Sequence, residues 1–384
     1  MRSIFLFLIL LSSIYAVTLE RTWSIENGES VEFKGALVVN SSNQQVLSID
    51  VSPGATYAAD ETGTVWVSYK GNASVPQQII TATAVVDIDY DDEIYSDAPL
   101  PNNTFKPGAL TGANDAMKSQ AASLAAPSSS LNTIAKLVNW VHNSIEYDVT
   151  YWDKLNPAQD VFEERRGVCV QYTHLLISMA RSLGFETRYV SGYLFADDWQ
   201  PHAWAEIYVP GHGWLPADAT FGRAGSLGNR YVAISYGDDQ LSTYDVLLSK
   251  NKTSTLDVSD KLTNFTVQES KDAILSIDFD NQTYIVDITI INNRPGYLFG
   301  LYQFRAPNLY AEKEESVILL KPDETVHRYH GLNYSNFNSS RSYGIPLSAS
   351  LNDVKVEKEI KINGKVQPCL PLFLLLLLLV RSER

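Results

Sequence analysis

Cysteine is nearly absent: there are two in 384 residues, Cys169 and Cys369. That excludes a small disulfide-framed domain and the paired-cysteine spacing of a structural zinc site. Basic residues are in deficit as well, 30 Lys and Arg against 44 Asp and Glu, for a net charge of −14. No basic stripe is left for a nucleic acid to follow, and no nucleic-acid partner is expected. Phosphate loops, dinucleotide fingerprints and zinc spacings are also missing, so neither a cofactor nor a metal is expected. No apolar run reaches the roughly 20 residues that span a bilayer. What remains is a chain 45% hydrophobic, long enough for two or three cores.

The two ends are apolar but short. Met1-Arg2-Ser3, a following apolar stretch and Ala16 predict a secretory signal peptide over 1–16, with an uncleaved or buried helix as the alternative. Eight Asn-X-Ser/Thr triplets agree with export, at Asn40, Asn72, Asn102, Asn251, Asn264, Asn281, Asn333 and Asn338. At the other end, Cys369 precedes a leucine run to Val380 and a terminal Arg384. This 366–384 tail resembles the C-terminal sorting tails of microbial surface proteins. The likeness implies a lipid on Cys369 or removal of the tail; a short retained anchor is the simpler alternative. The expected location is extracellular and cell-surface anchored, with the tail contacting the membrane. The sequence carries no signal of oligomeric state.

The informative stretch is Arg165 to Thr220. Cys169 stands at the start of an apolar-periodic run in which Tyr172, Leu175, Leu176, Met179, Ala180 and Leu183 share one helix face. Gly184 would close that helix. A thiol at a helix N-terminus is stabilised as thiolate by the amides and dipole there. Downstream, the alternation of His202-Ala203-Trp204-Ala205-Glu206-Ile207-Tyr208-Val209 predicts a strand with His202, Trp204 and Glu206 on one face. Pro210 to Gly213 supplies a turn, and Trp214 to Asp218 runs back. Cys169 is thus a candidate nucleophile, His202 its general base, and Asp218 the carboxylate that orients the imidazole. The plain alternatives are a buried hydrophobic cysteine and a structural histidine. His174 is a rival base, but at five residues along a helix it points about 140° away from Cys169.

Taken together, Arg166-Gly167-Val168-Cys169, the helix to Gly184-Phe185, Arg188 to Tyr193, His202-Ala203-Trp204 and Gly213 to Asp218 resemble the core of the transglutaminase-like superfamily, which shares its helix-then-sheet arrangement with papain-like thiol enzymes. The resemblance covers about residues 115–235. It implies that Cys169, His202 and Asp218 form a catalytic triad. One register conflicts with it. A two-residue turn at Gly211-His212 pairs Pro210 with Gly213 and places Asp218 opposite Ala205, roughly 10 Å along the strand from His202. A bulge near Pro216 or a wider loop would bring them together. Trp152, in the loop before Cys169, is an oxyanion-hole candidate through its indole N–H, with simple packing as the plainer reading.

The flanks read as β structure. Strands at Val31–Val39, Val46–Val51, Thr64–Tyr69 and Ile79–Tyr90 predict a β domain over 17–97. Its acidic end, Asp87 to Glu93, lacks the glycine of a calcium loop. A Pro-rich linker (98–112), a catalytic core (113–248) and a second β-rich region (249–365) follow. The seven short strands of that last region resemble an immunoglobulin-like β-sandwich. The predicted fold class is therefore α+β, a papain/transglutaminase-like core flanked by an N-terminal β domain and a C-terminal sandwich. The predicted function is an extracytoplasmic cysteine enzyme acting on peptide or side-chain amide bonds through a thioester, on a peptide or protein substrate, with hydrolysis favoured over cross-linking. The alternative is a non-catalytic surface adhesion or structural protein on the same scaffold.

Overall fold

The computed structural model describes residues 16–27, 30–71, 77–90, 93–250, 253–268, 272–307, 314–333 and 341–363. Residues 1–15 of the expected signal peptide, the C-terminal tail with Cys369, and sequon residues Asn72, Asn251 and Asn338 lie outside the described residues.

Alternating sequence builds the first layer. Strands β1 (Val17–Glu26), β2 (Val31–Val39), β3 (Gln44–Val51), β4 (Ala55–Ala59), β5 (Thr64–Gly71) and β6 (Gln77–Ile88) form antiparallel ladders. On β6 the side chains of Ile80, Ala82, Ala84, Val86 and Ile88 are buried while their neighbours are half-exposed, the period-2 pattern of a sheet with one covered face. Residues 98–112, predicted as a linker, contain no helix or strand but are strapped to the core. Ser130 N–H donates to Ala98 O at 2.6 Å, and Ala158 N–H donates to Leu110 O at 2.9 Å.

Four helices follow. Helix α1 (Asp115–Leu124) is capped by the Asn114 side chain, and α2 (Ser130–Ser144) by Ser129, each accepting a bond from the third residue on. Two short strands, β7 (Glu146–Tyr147) and β8 (Arg166–Gly167), pair in parallel and bracket α3 (Ala158–Glu164). Then α4 (Cys169–Ser182) runs to a left-handed Gly184, φ 89°. The core sheet has the order β12-β11-β10-β9-β13, from β9 (Thr187–Phe195), β10 (Trp199–Val209), β11 (Gly213–Asp218), β12 (Arg223–Ala224) and β13 (Tyr231–Gly237). Both of its faces are covered. Ala203, Ala205, Ile207 and Val209 pack with the helices, and Trp204, Val190 and Val232 pack with the β layer. Buried Gln44 joins the layers at a bulge in β13, donating to Ala233 O and accepting from Ala233 N–H at 2.9 and 2.8 Å.

The chain then returns to the first layer. Strand β14 (Val246–Leu248) pairs with β2, and β15 (Thr255–Thr263) pairs with β1, completing sheets of order β14-β2-β5-β4 and β15-β1-β6-β3. This corrects the predicted boundaries at 248 and 249: Thr255–Thr263 belongs to the N-terminal layer, not to the C-terminal sandwich. The reason is register. Nine backbone pairs tie β15 to β1, whereas its mostly exposed side chains carry no local sign of the partner.

A second compact unit holds the described residues of Ala273–Ile291, Tyr302–Glu315 and 325–363. The seven strands predicted after residue 272 are present: β16 (Ala273–Asp280), β17 (Ile285–Asn292), β18 (Leu298–Arg305), β19 (Glu314–Leu320), β20 (Thr325–Gly331), β21 (Ser342–Leu351) and β22 (Val354–Asn363). They form sheets of order β16-β17-β20 and β19-β18-β21-β22. By strand content the chain is mostly β with few helices.

Candidate active site

The site begins with the end of a helix. Val168 at the N-cap has no side-chain oxygen to occupy the first-turn amides of α4. The cap is instead built from position N3: Gln171 Oε1 accepts from Val168 N–H at 3.0 Å, and its amide donates to Lys154 O at 2.8 Å. One buried side chain thus fixes both the residue before Cys169 and the loop that carries Trp152. Gly167 allows this approach, because a Cβ there would lie 2.4 Å from Gln171 Cβ. Thr173 closes the first turn by donating to Cys169 O at 2.8 Å.

The turn after β10 decides whether the carboxylate reaches the imidazole. Val209 pairs with Gly213 and Ala205 with Ala217. Three residues, Pro210 to His212, therefore lie between the paired positions, helped by positive φ at Gly211 and Gly213. This wider loop slips the register by one residue from the tight-turn expectation. Asp218 falls beyond the Ala205–Ala217 pair, opposite Trp204 and on the same face as His202, a diagonal neighbour within side-chain reach. His202 Nε2 lies 2.7 Å from Asp218 Oδ2. No bulge at Pro216 is needed.

His202 is 8% exposed, Cys169 4% and Asp218 fully buried. Burial alone would depress the imidazole. The Asp218 charge and hydrogen bond, joined by a hydrogen bond with Cys169, outweigh it and raise His202 to about 10. Burial likewise opposes ionisation of Asp218, but the His202 charge and bond, with the Tyr231 hydroxyl, hold it below the usual carboxylate range. Thr220 N–H also donates to Asp218 Oδ1 at 2.9 Å. With Nε2 committed to the carboxylate, Nδ1 is the nitrogen left for the thiol. The array can hold a thiolate–imidazolium pair.

The structure brings the three sequence-predicted residues together and leaves the rival base elsewhere. His174 is buried on α4, with Nδ1 3.4 Å from Asn156 O and Nε2 accepting from Gln240 N–H at 3.4 Å. Desolvation lowers it to about 4, so it stands neutral in a packing role. Trp152 is 61% exposed and lines the same cavity as Cys169 and His202. That cavity holds ≈ 490 Å³. Part of its lining was not anticipated: Arg21 of β1, Asp245 before β14 and Val258 of β15 come from the first β layer. Asp245 is itself held by Trp23 Nε1 at 2.7 Å and Ala36 N–H at 2.9 Å.

Two further residues escaped the sequence reading. Gln171 had a signal, because a glutamine three residues after a helix N-cap is a capping pattern. Tyr231 on β13 had none; it donates to Asp218 Oδ2 at 2.8 Å. Among the described residues, no cluster of His, Cys, Asp and Glu could hold a metal ion.

Residues 118–219 match the sequence pattern of the transglutaminase-like superfamily core. A curated relative, an uncharacterized protein of Mycobacterium leprae, is 22% identical over 200 residues, which cover 47% of this chain and 70% of that one. A protein-glutamine gamma-glutamyltransferase of Pseudomonas aeruginosa is 31% identical over 72 residues, 16% of this chain and 11% of its own length. Among solved structures, a Cytophaga hutchinsonii protein provisionally described as a cysteine protease superposes with a TM-score of 0.51. It is 20% identical, covering 66% of this chain and 92% of that one. At that identity the likeness is one of fold.

Proposed function

We propose, from the match of residues 118–219 to the transglutaminase-like superfamily core, that this chain is a cysteine-dependent enzyme that cleaves or transfers at peptide or side-chain amide bonds. The observation that carries the reading is the His202 Nε2–Asp218 Oδ2 contact of 2.7 Å, with the other imidazole nitrogen left for the thiol that opens α4. The gamma-glutamyltransferase and the fold relative described as a cysteine protease both bear names of acyl-transfer chemistry, which agrees with it.

The proposed reaction runs in two halves, acylation of the thiol and release of the acyl group. His202 Nδ1 takes the Cys169 proton, and the thiolate attacks the amide carbonyl carbon. Charge gathers on the carbonyl oxygen, where the Cys169 amide and the Trp152 indole N–H are the donors assigned to it. Collapse breaks the C–N bond, and His202 returns its proton to the leaving amine. Water then attacks the thioester with His202 again as base, releasing an acid and the free thiol. An amine in place of water would complete a transfer. Hydrolysis is the favoured outcome.

The site is placed outside the cell, on a surface-anchored protein whose second unit serves as an immunoglobulin-like spacer. The sequon residues Asn40, Asn102, Asn264, Asn281 and Asn333 are all exposed, which supports that placement. The test compares wild type with Cys169→Ala on a peptide library, with and without added hydroxylamine. Cleavage that disappears with Cys169 supports the reading, and hydroxamate formation marks the thioester. Equal cleavage by both proteins, or a folded thiol that iodoacetamide labels no faster than free cysteine at mildly acidic pH, leaves the scaffold alternative.

A further inference from the structure

Behind the imidazole stands an aromatic wall. His202 lies 6.2 Å from the Trp204 ring in near-parallel stacking, 5.6 Å from Phe221 and 6.0 Å from Tyr231. Tyr231 is 1% exposed and set edge-on to Trp204 at 5.3 Å. Its hydroxyl meets Asp218 Oδ2, the same oxygen that accepts from His202, at 2.8 Å against 2.7 Å for the imidazole nitrogen. The other oxygen, Oδ1, is turned away to the Thr220 amide at 2.9 Å and the Phe221 amide at 3.4 Å. One carboxylate oxygen therefore divides its charge between a phenol and an imidazole, all three groups buried.

We propose that Tyr231 is a positioning residue for this reaction: its hydroxyl pins the Asp218 oxygen that His202 uses and sets how firmly the imidazolium is held. The proposal rests on the triad reading above. The geometry makes the two donors competitors. A phenol that takes part of the Oδ2 charge leaves less for the imidazolium, which keeps the ion pair from becoming so stable that His202 never releases its proton to the leaving amine. The charged and titratable groups facing the pair from the surrounding elements are Cys169 on α4, Tyr147 on β7 and Arg223 on β12. Arg21 and Asp245 line the same cavity as His202. The Tyr231 hydroxyl meets Asp218 Oδ2 directly, so the phenol is tested by deleting that hydroxyl alone.

The readout is the pH profile of Cys169 alkylation by iodoacetamide on the full chain. Its upper transition reports loss of the His202 proton. Tyr231→Phe keeps the ring and deletes the hydroxyl. The upper transition is expected to rise by about half a pH unit or more, because Asp218 is left with its full charge for His202. Site-specific 3-fluorotyrosine at 231 makes the hydroxyl a stronger donor and moves the transition the opposite way, keeping the proposal testable even if Tyr231→Phe folds poorly. In an Asp218→Asn background both shifts vanish. Unmoved profiles for Tyr231→Phe and fluorotyrosine overturn the proposal, as do shifts that persist without Asp218. A wild-type profile with no His202-dependent transition would instead remove the triad reading, and this proposal with it.

Discussion

The buried His202–Asp218 pair makes stability depend on pH in a direction opposite to that of most carboxylate pairs. His202 keeps its proton in the folded state up to about 10, against 6.5 when unexposed to partners. The folded chain therefore binds more protons than the unfolded chain across that window. The stabilisation is fully present below about 6.5 and is lost as pH rises toward 10. One proton sets the slope, about −1.4 kcal/mol of unfolding free energy per pH unit at its steepest. Summed over the window the effect is on the order of several kcal/mol, comparable with the whole stability of many domains. Cys169 is bonded to the imidazole, so the measurement belongs in Cys169→Ala, where the histidine is read without it. There His202 loses its bond to sulfur but keeps the Asp218 charge, its larger support. Urea unfolding of Cys169→Ala and Cys169→Ala/His202→Gln from pH 6.5 to 9.5 isolates the His202–Asp218 pair, since groups distant from it cancel in the difference. The advantage of the histidine-containing protein should shrink steadily with rising pH. A flat difference, or one that grows, refutes the assignment of a protonated imidazole held by Asp218.

Other substitutions test the surroundings of the pair. Glu206 is fully buried against Arg188, whose guanidinium lies 4.1 Å from the Trp214 ring and 3.5 Å from Tyr236. Glu206→Ala should cost about 3–5 kcal/mol in urea unfolding by stranding that cation, whereas Arg188→Met with Glu206→Leu should cost far less. Gly192 pairs with His202 across β9 and β10, and a Cβ there would lie 2.1 Å from Val232 O and 2.8 Å from Trp204. Gly192→Ala should lower the melting temperature and slow alkylation of Cys169 together, because the sheet must spread at the imidazole. Trp152→Ala should change unfolding free energy by no more than about 0.5 kcal/mol, since the side chain is largely exposed. If the indole serves the oxyanion, kcat should still fall about 100-fold with little change in KM.

What the sequence made legible was whatever repeats locally. The 3.6-residue period of Tyr172 to Leu183 placed α4, and the two-residue period of His202 to Val209 assigned its faces correctly, Ala203 to one core and Trp204 to the other. The strands after residue 272 were found for the same reason. Loop width was not legible from period. Whether Pro210 to Gly213 closes with two or three residues depends on the φ values of Gly211 and Gly213, and that one residue moves Asp218 from out of reach to 2.7 Å from His202. Helix α3 escaped because seven residues with few buried side chains give too short a window to show a period.

The residues that finish the site were hidden for a different reason: their meaning is made by partners far away in the chain. Nothing near Tyr231 marks it as a donor to Asp218, since the bond exists only once β13 lies beside β9 in the core sheet. Arg21 and Val258 line one cavity with Cys169 only because β15 crosses back to pair with β1 after the whole core has been built. A short chemical motif can therefore announce a nucleophile and its base, while the wall opposite them is set by sheet register across more than two hundred residues. The first β layer acts as part of the cleft rather than as a separable module. Deleting residues 17–97 removes the strand partners of β14 and β15 as well as the Arg21 side of the cavity. Such a truncation should fail to give a soluble, alkylation-competent core.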